Sequence, residues 1–126
     1  MQYFNYIYLF ENRVRKKMNL ADIPFSIIDW GKIEPTEHPG VTGKAFWRTF
    51  QTGNIRVRMV EYTPGYIADH WCSKGHVLLV LEGELTTELK NGEKHVLAAG
   101  TSYQVADDTM PHRSYTETGA KLFIVD

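Results

Sequence analysis

The chain has 126 residues, 43% hydrophobic and 23% charged, which is room for one domain and excludes a disordered chain. Fourteen Lys and Arg against fifteen Asp and Glu leave a formal charge of −1, so no overall basic field exists to hold a nucleic-acid backbone. A single cysteine excludes an internal disulfide framework and fits a reducing compartment, and no apolar run approaches the ~18 residues of a membrane helix, so a cytoplasmic protein is expected.

The first seventeen residues carry four basic side chains (Arg13, Arg15, Lys16, Lys17) and one acid, Glu11, which leaves residues 18–126 with a net charge of −4. Tyr3 to Phe10 holds five of the sixteen aromatics. A signal peptide places its positive charges before the apolar stretch, and here they follow it. An N-terminal strand, a membrane-surface tag and a translated leader upstream of Met18 are the open readings. Met18-Asn19-Leu20 reads as a start, which favours the leader, so residues 1–17 are set apart from a single domain over 18–126. The one candidate helix is short, Arg13 to Ala21.

From Ile23 onward the punctuation is turn-like: Ile23-Pro24, Glu34-Pro35, His38-Pro39-Gly40, Thr52-Gly53-Asn54 and Thr63-Pro64-Gly65. Phe46 to Phe50 and Ile55 to Met59 alternate with period two, which predicts half-buried strands. Val77 to Leu81 is continuously apolar and predicts a strand buried on both faces. Leu85 to Lys90 and Glu93 to Leu97 flank Asn91-Gly92, which predicts a hairpin closed by a type I′ turn. In that register Glu88 faces His95, and Leu85 and Leu89 share a face with Val96. Ser102 to Val105, Arg113 to Thr116 and Lys121 to Val125 complete seven or eight short strands. The expected fold is all-β and single-domain, a sandwich or closed barrel.

Candidate chemistry gathers where the histidines do. His70, Cys72 and His76 lie within seven residues, between Pro64-Gly65 and the Val77 strand, and His112 follows behind Pro111. Residues two apart on a strand project to one face, so His70 and Cys72 reach one point while Trp71 faces away. A turn at Ser73-Lys74-Gly75 would bring His76 back beside them, and His112 on an antiparallel neighbour would close the set. Imidazole and thiolate suit zinc, iron, nickel or copper, and disfavour magnesium and calcium. The same residues also fit a core in which Cys72 is a small hydrophobe.

Gly65-x4-His70-x-Cys72-x3-His76-x6-Gly83 resembles the first cupin motif, G-x5-H-x-H-x3–4-E-x6-G, with one residue fewer at its start. Gly100 to His112 resembles the second, G-x5-P-x-G-x2-H-x3-N, and the likeness spans about residues 41–126. More narrowly, Asp69-His70-Trp71-Cys72 with Lys74-Gly75-His76 is similar to small bacterial DHCW-motif cupins, a likeness that extends over Ser102 to Val105 and Gly119 to Asp126. The resemblance implies a cupin jelly roll, the double-stranded β-helix barrel. It implies a divalent transition metal (zinc, iron or nickel) on His70, Cys72, His76 and His112, a small-molecule ligand and a homodimer. Two positions depart from the motif, Cys72 for histidine and His76 for glutamate. In the second motif Ala106 and Asp108 replace the usual Pro and Gly, and His112 sits one residue late. All four positions keep residues competent to bind metal, which reads as a changed site and not a decayed one.

Other residues carry weaker signals. Arg56 and Arg58 share one strand face, and if that face is the barrel interior they would hold a substrate carboxylate. Glu61, Tyr62 and Tyr103 are further candidates to line the cavity. His38 before Pro39 suits an exposed or capping role. His95 suits a cross-strand pair with Glu88, and Trp71 outer packing or a subunit contact. Three functions stay open: a metal-dependent enzyme of oxygenase or isomerase type on a small organic substrate, a module with a structural zinc-like site, and a metal-free binder of a sugar or organic acid.

Overall fold

The computed structural model describes residues 18–126, so the N-terminal extension expected over residues 1–17 lies outside the described residues. Within them Met18 to Ala21 is not helical, and the helical content is one 3-10 turn, Trp30–Lys32. Eight strands follow: β1 (Thr36–Pro39), β2 (Lys44–Thr52), β3 (Ile55–Tyr62), β4 (His76–Leu89), β5 (Lys94–Ala98), β6 (Ser102–Val105), β7 (His112–Tyr115) and β8 (Ala120–Val125). All pairings are antiparallel, in the order β1-β2-β3-β8-β4-β5, with β6 and β7 also on β4.

β4 organises the fold because it serves two sheets. Its first half pairs with β6 and β8, and its second half pairs with β5 and β7. The runs expected separately over Val77 to Leu81 and Leu85 to Lys90 are therefore joined in one strand of fourteen residues, bent by an irregularity between Val80 and Glu82. Gly83 makes the bend possible: its φ is +80°, and a Cβ there would run into the Gly119 carbonyl oxygen. The bend wraps β4 around one core, formed by Val60, Leu78, Val80, Leu85, Leu97, Ala120, Leu122 and Ile124. Val77 and Leu81 point away from it, at 50% and 39% exposed, so this strand is buried on one face only.

The β4–β5 hairpin also departs from expectation. Glu88 pairs with Lys94 and Thr87 with His95, one residue out of the expected register. Gly92 has φ +96° but Asn91 is not left-handed, and a type I′ turn needs both. Leu89 N donates to Glu93 O at 2.8 Å and Leu89 O accepts from Gly92 N at 2.9 Å, leaving a three-residue loop with a glycine bulge. One residue of slip exchanges faces, so Leu97 joins Leu85 in the core and Val96 is 65% exposed.

Candidate metal centre

Cys72 and His112 face each other across a short antiparallel bridge, with Cys72 N bonded to His112 O at 2.8 Å and His112 N to Cys72 O at 3.0 Å. Directly opposed residues project to one side, so the thiol and the imidazole share the barrel interior. His76 opens β4 opposite Val105, on the same face as Leu78 and Val80. Ser73-Lys74-Gly75 carries no turn; it steps from the β7 side to the β6 side, held by Gly75 N on Asp107 Oδ1 (2.6 Å) and Asp108 N on Ser73 O (2.8 Å). Gly75 is required at this crossing, because a Cβ would lie 2.5 Å from the Asp107 nitrogen.

The donor atoms of Cys72, His76 and His112 all lie within 4.8 Å of one another. The fourth expected ligand, His70, is not in this group. Its side chain is 73% exposed at the mouth of the same cavity, with Nδ1 2.6 Å from Asp69 Oδ1. Strand periodicity put His70 beside Cys72, but only Cys72 belongs to a bridge with β7; its neighbours Asp69 and His70 lie in an irregular segment.

The hydrogens on these rings follow from their partners. His112 Nδ1 is 2.9 Å from the Met110 carbonyl oxygen, which only accepts, so Nδ1 carries hydrogen and a neutral His112 presents a lone pair at Nε2. That nitrogen is 3.1 Å from His76 Nε2, which also lies 2.9 Å from the Tyr103 hydroxyl. With hydrogen on Nε2, His76 satisfies His112 but turns a buried Nδ1 lone pair toward the Asp126 carboxylate. With hydrogen on Nδ1, two lone pairs face each other. A cation between the rings resolves this, either a metal ion or a second proton on His112 with Cys72 ionised. The fit to a metal is direct: two nitrogens about 2.1 Å from one ion, at tetrahedral or octahedral angles, stand roughly 3.0–3.4 Å apart.

Local electrostatics favour the deprotonated ligand forms at two of the three positions. Contact with His112 holds the Cys72 thiol below its usual range, against the opposing effect of burial. Burial, reinforced by the His112 charge, depresses the His76 pKa to about 4, so that ring is neutral near neutrality. His112 moves upward, chiefly through its contact with Cys72. Burial keeps the Tyr103 phenol protonated far above its ordinary range.

The Arg56 and Arg58 face is the barrel interior, and sequence reasoning missed what occupies it. The Asp126 carboxylate takes Arg56 Nε at 2.8 Å, Arg56 Nη2 at 3.0 Å and Arg58 Nη2 at 2.9 Å, with its side chain 1% exposed. Arg58 also lies 4.4 Å from the centroid of Trp47. The role expected for a substrate carboxylate is filled here by the chain's own residue, which also approaches His76 Nδ1 at 3.6 Å. Tyr103 does face the centre. Of the other residues, His38 stacks on Trp47 at 3.9 Å, and His95 sits 3.2 Å from Glu93 and opposite Thr87, not Glu88. Trp71 lies between Lys90 (4.2 Å) and Arg113 (4.7 Å). Tyr62 stacks on Tyr66 at 4.1 Å and lines the cavity, whereas Glu61 is exposed.

Two cavities meet at this centre. One, of about 290 Å³, holds Cys72, His76 and His112 with the Arg56–Arg58–Asp126 cluster. The other, of about 570 Å³, opens beside β5 and β6, is lined by Leu89, Leu97, Val105 and Met110 among others, and shares Tyr103 and His112 with the first.

Known structures share this architecture. A predicted oxalate decarboxylase from Thermotoga maritima superposes at TM-score 0.68 with 15% identity, over 79% of this chain and 96% of its own. A cupin-like protein from the same organism gives TM-score 0.57 at 20% identity, over 67% and 68% of the two chains. The FeII form of HppE gives 0.65 at 19%, over 85% and 62%. No family model matches the sequence, and no curated protein matches it. The chain has the cupin jelly-roll fold, as the two sequence motifs implied. Among the described residues no helix is long and apolar enough to cross a membrane.

Proposed function

We propose that Cys72, His76 and His112 hold one divalent transition metal ion, zinc, iron or nickel, and that the protein is a metal-dependent enzyme acting on a small organic molecule. The observation that carries this reading is the pair of opposed Nε2 atoms 3.1 Å apart, one with its tautomer fixed by the Met110 carbonyl, beside a thiol in the same group. Three protein ligands leave a coordination position open, as catalytic centres do, whereas a structural zinc closes its sphere with four. Thiolate ligation disfavours manganese. The metal would supply Lewis acidity or a redox-active site, which suits oxygenase or isomerase chemistry.

The chain's own residues frame that position. Tyr103, protonated and 2.9 Å from His76 Nε2, supplies a hydroxyl at the edge of the centre for a substrate oxygen. The larger cavity supplies apolar contact through Leu89, Leu97 and Met110, within the size range of small-molecule sites. Arg56 and Arg58 act on Asp126. The protein works as a cytoplasmic homodimer in this proposal, and the exposed Val77 and Leu81 on the outer sheet face are consistent with a subunit contact; sedimentation of the untagged protein checks the mass.

Metal content by mass spectrometry on untagged protein tests the centre. About one transition metal per chain is expected in the wild type and in His70→Ala, with loss in Cys72→Ala and His112→Ala. No metal in a folded wild type overturns the reading. Loss of metal in His70→Ala would instead favour a closed four-ligand site, with His70 swung in from the rim, and hence a structural role.

A further inference from the structure

Resting on the metal centre proposed above, the structure assigns Asp126 a role as the residue that positions His76 for the ion. His76 Nδ1 is buried and has no hydrogen-bond partner, and the Asp126 carboxylate faces it with Oδ2 at 3.6 Å. A buried imidazole nitrogen left without a partner is costly, and its orientation needs a cause. A carboxylate only accepts, so its field favours hydrogen on Nδ1 and leaves the Nε2 lone pair directed at His112 and Cys72. Ligating histidines commonly pass their second N–H to a carboxylate or carbonyl, which fixes both tautomer and ring orientation. His112 already does so through the Met110 carbonyl. Asp126 takes the corresponding place for His76, acting at 3.6 Å through its field and not through a formed hydrogen bond.

The carboxylate is itself held rigidly. Arg56 grips both oxygens through Nε and Nη2, Arg58 adds a third contact, and backbone bonds in both directions between Arg56 and Asp126 extend the β3–β8 ladder. Five donor positions on each guanidinium and a fixed fork make arginine suited to immobilising an anion. Held by the Arg56 fork and the single Arg58 bond, Asp126 cannot turn away from His76 without breaking three hydrogen bonds. The arginine pair therefore serves the centre through Asp126, which makes it a positioning unit and not a clamp for a substrate carboxylate.

The first measurement needs no substitution. Nitrogen-15 spectra of metal-free wild type report which ring nitrogen of His76 carries hydrogen, and the Nδ1–H form is expected, with His112 supplying the proton between the two rings; a predominant Nε2–H form overturns the assignment. The second compares zinc affinity, by competition with a chelator, in wild type, Asp126→Asn and Asp126→Glu. Asp126→Asn should lose about 10- to 100-fold in zinc affinity, the range seen when an outer carboxylate is removed, and shift His76 toward mixed tautomers. Asp126→Glu, keeping the charge, should recover part of both. Equal zinc affinity in wild type and a folded Asp126→Asn overturns the role of Asp126 while leaving the metal centre intact. Zinc bound by neither overturns the metal reading, and the positioning role falls with it. If Asp126→Asn does not fold, the wild-type tautomer and Asp126→Glu still decide.

Discussion

The two sides of the His76–His112 pair are built from opposite materials. On one side half-buried Arg56 and buried Arg58 and Asp126 lock three charges into one network within a small cavity. On the other, Tyr103 and His112 open onto a cavity about twice as large, lined by Leu89, Leu97, Val105 and Met110 among others and with no Asp, Glu, Lys or Arg among its lining residues. On the charged side three hydrogen bonds hold Asp126 between the two arginines, with Arg58 Nε left unpaired, so this side fixes geometry. The neutral side has room, and in the proposed function it is where a bound molecule gains contact. A single site thus divides stiffness from accommodation.

The sharpest way to break this contrast is to unbalance the charged side. Asp126→Ala leaves Arg58, 6% exposed at its side chain, buried with no counter-charge. Removing one partner of a buried pair costs about 3–5 kcal/mol, because the other charge is stranded. Urea unfolding should show that loss. On the neutral side Leu97→Ala deletes core contacts, but it borders an open cavity whose walls can relax, so a cost near the lower end of the roughly 2–5 kcal/mol range is expected. A larger loss at Leu97 than at Asp126 would contradict the division. Met110→Ala should leave zinc affinity unchanged, since His112 uses the Met110 backbone oxygen and not its side chain.

Part of this division was legible in the sequence. Period-two alternation at Phe46 to Phe50 and Ile55 to Met59 located β2 and β3, and of the four residues grouped from sequence the fold brings the donor atoms of Cys72, His76 and His112 within 4.8 Å of one another. Asp126 was not legible because it is 68 and 70 positions from the arginines it binds, and no local pattern marks a partner brought in by β3–β8 pairing. His70 was misplaced for a related reason: i, i+2 reasoning assumes a continuous strand, and the strand character at Cys72 extends over one residue. The bend in β4 was hidden because Glu82-Gly83 looks like a loop in sequence, while the ladder continues through it.

Acid separates the contributions in the metal-free protein. His76 is depressed to about 4, first by burial and then by the His112 charge. Between the unfolded value near 6.5 and about 4, the unfolded chain binds a proton that the folded chain refuses, so stability falls as pH falls through that window. Burial pushes Asp126 up, but its hydrogen bond to Arg56 and the charges of both arginines leave it below the ordinary range. Its contribution is complete above about 3.9 and is lost only as pH falls through its lower folded value. His112 is raised, so its contribution is complete below about 6.5 and fades as pH rises through its folded value. His76→Gln should flatten the decline between pH 6.5 and 4. Asp126→Asn should keep that decline and lose the further one below it. Urea midpoints across the pH series distinguish the two.

The smallest effect lies at the hairpin that carries His95 and Leu97 onto the neutral side. Gly92 sits at φ +96° with nothing within 4 Å of an added Cβ, so Gly92→Ala meets no neighbour and suffers only the left-handed backbone. That strain is worth about 1 kcal/mol. Because Glu88 and Lys94 fix the register beyond the loop, the hairpin should stay in place and zinc affinity should not change. A hairpin that instead slipped by one residue would turn Leu97 outward and Val96 inward, emptying one wall of the larger cavity. Near-ultraviolet circular dichroism with zinc titration tells the alternatives apart. An altered aromatic signal beside Tyr103, with affinity unchanged, would mean that the neutral side moves independently of the charged one. Joint loss of both would mean that the two sides are mechanically one.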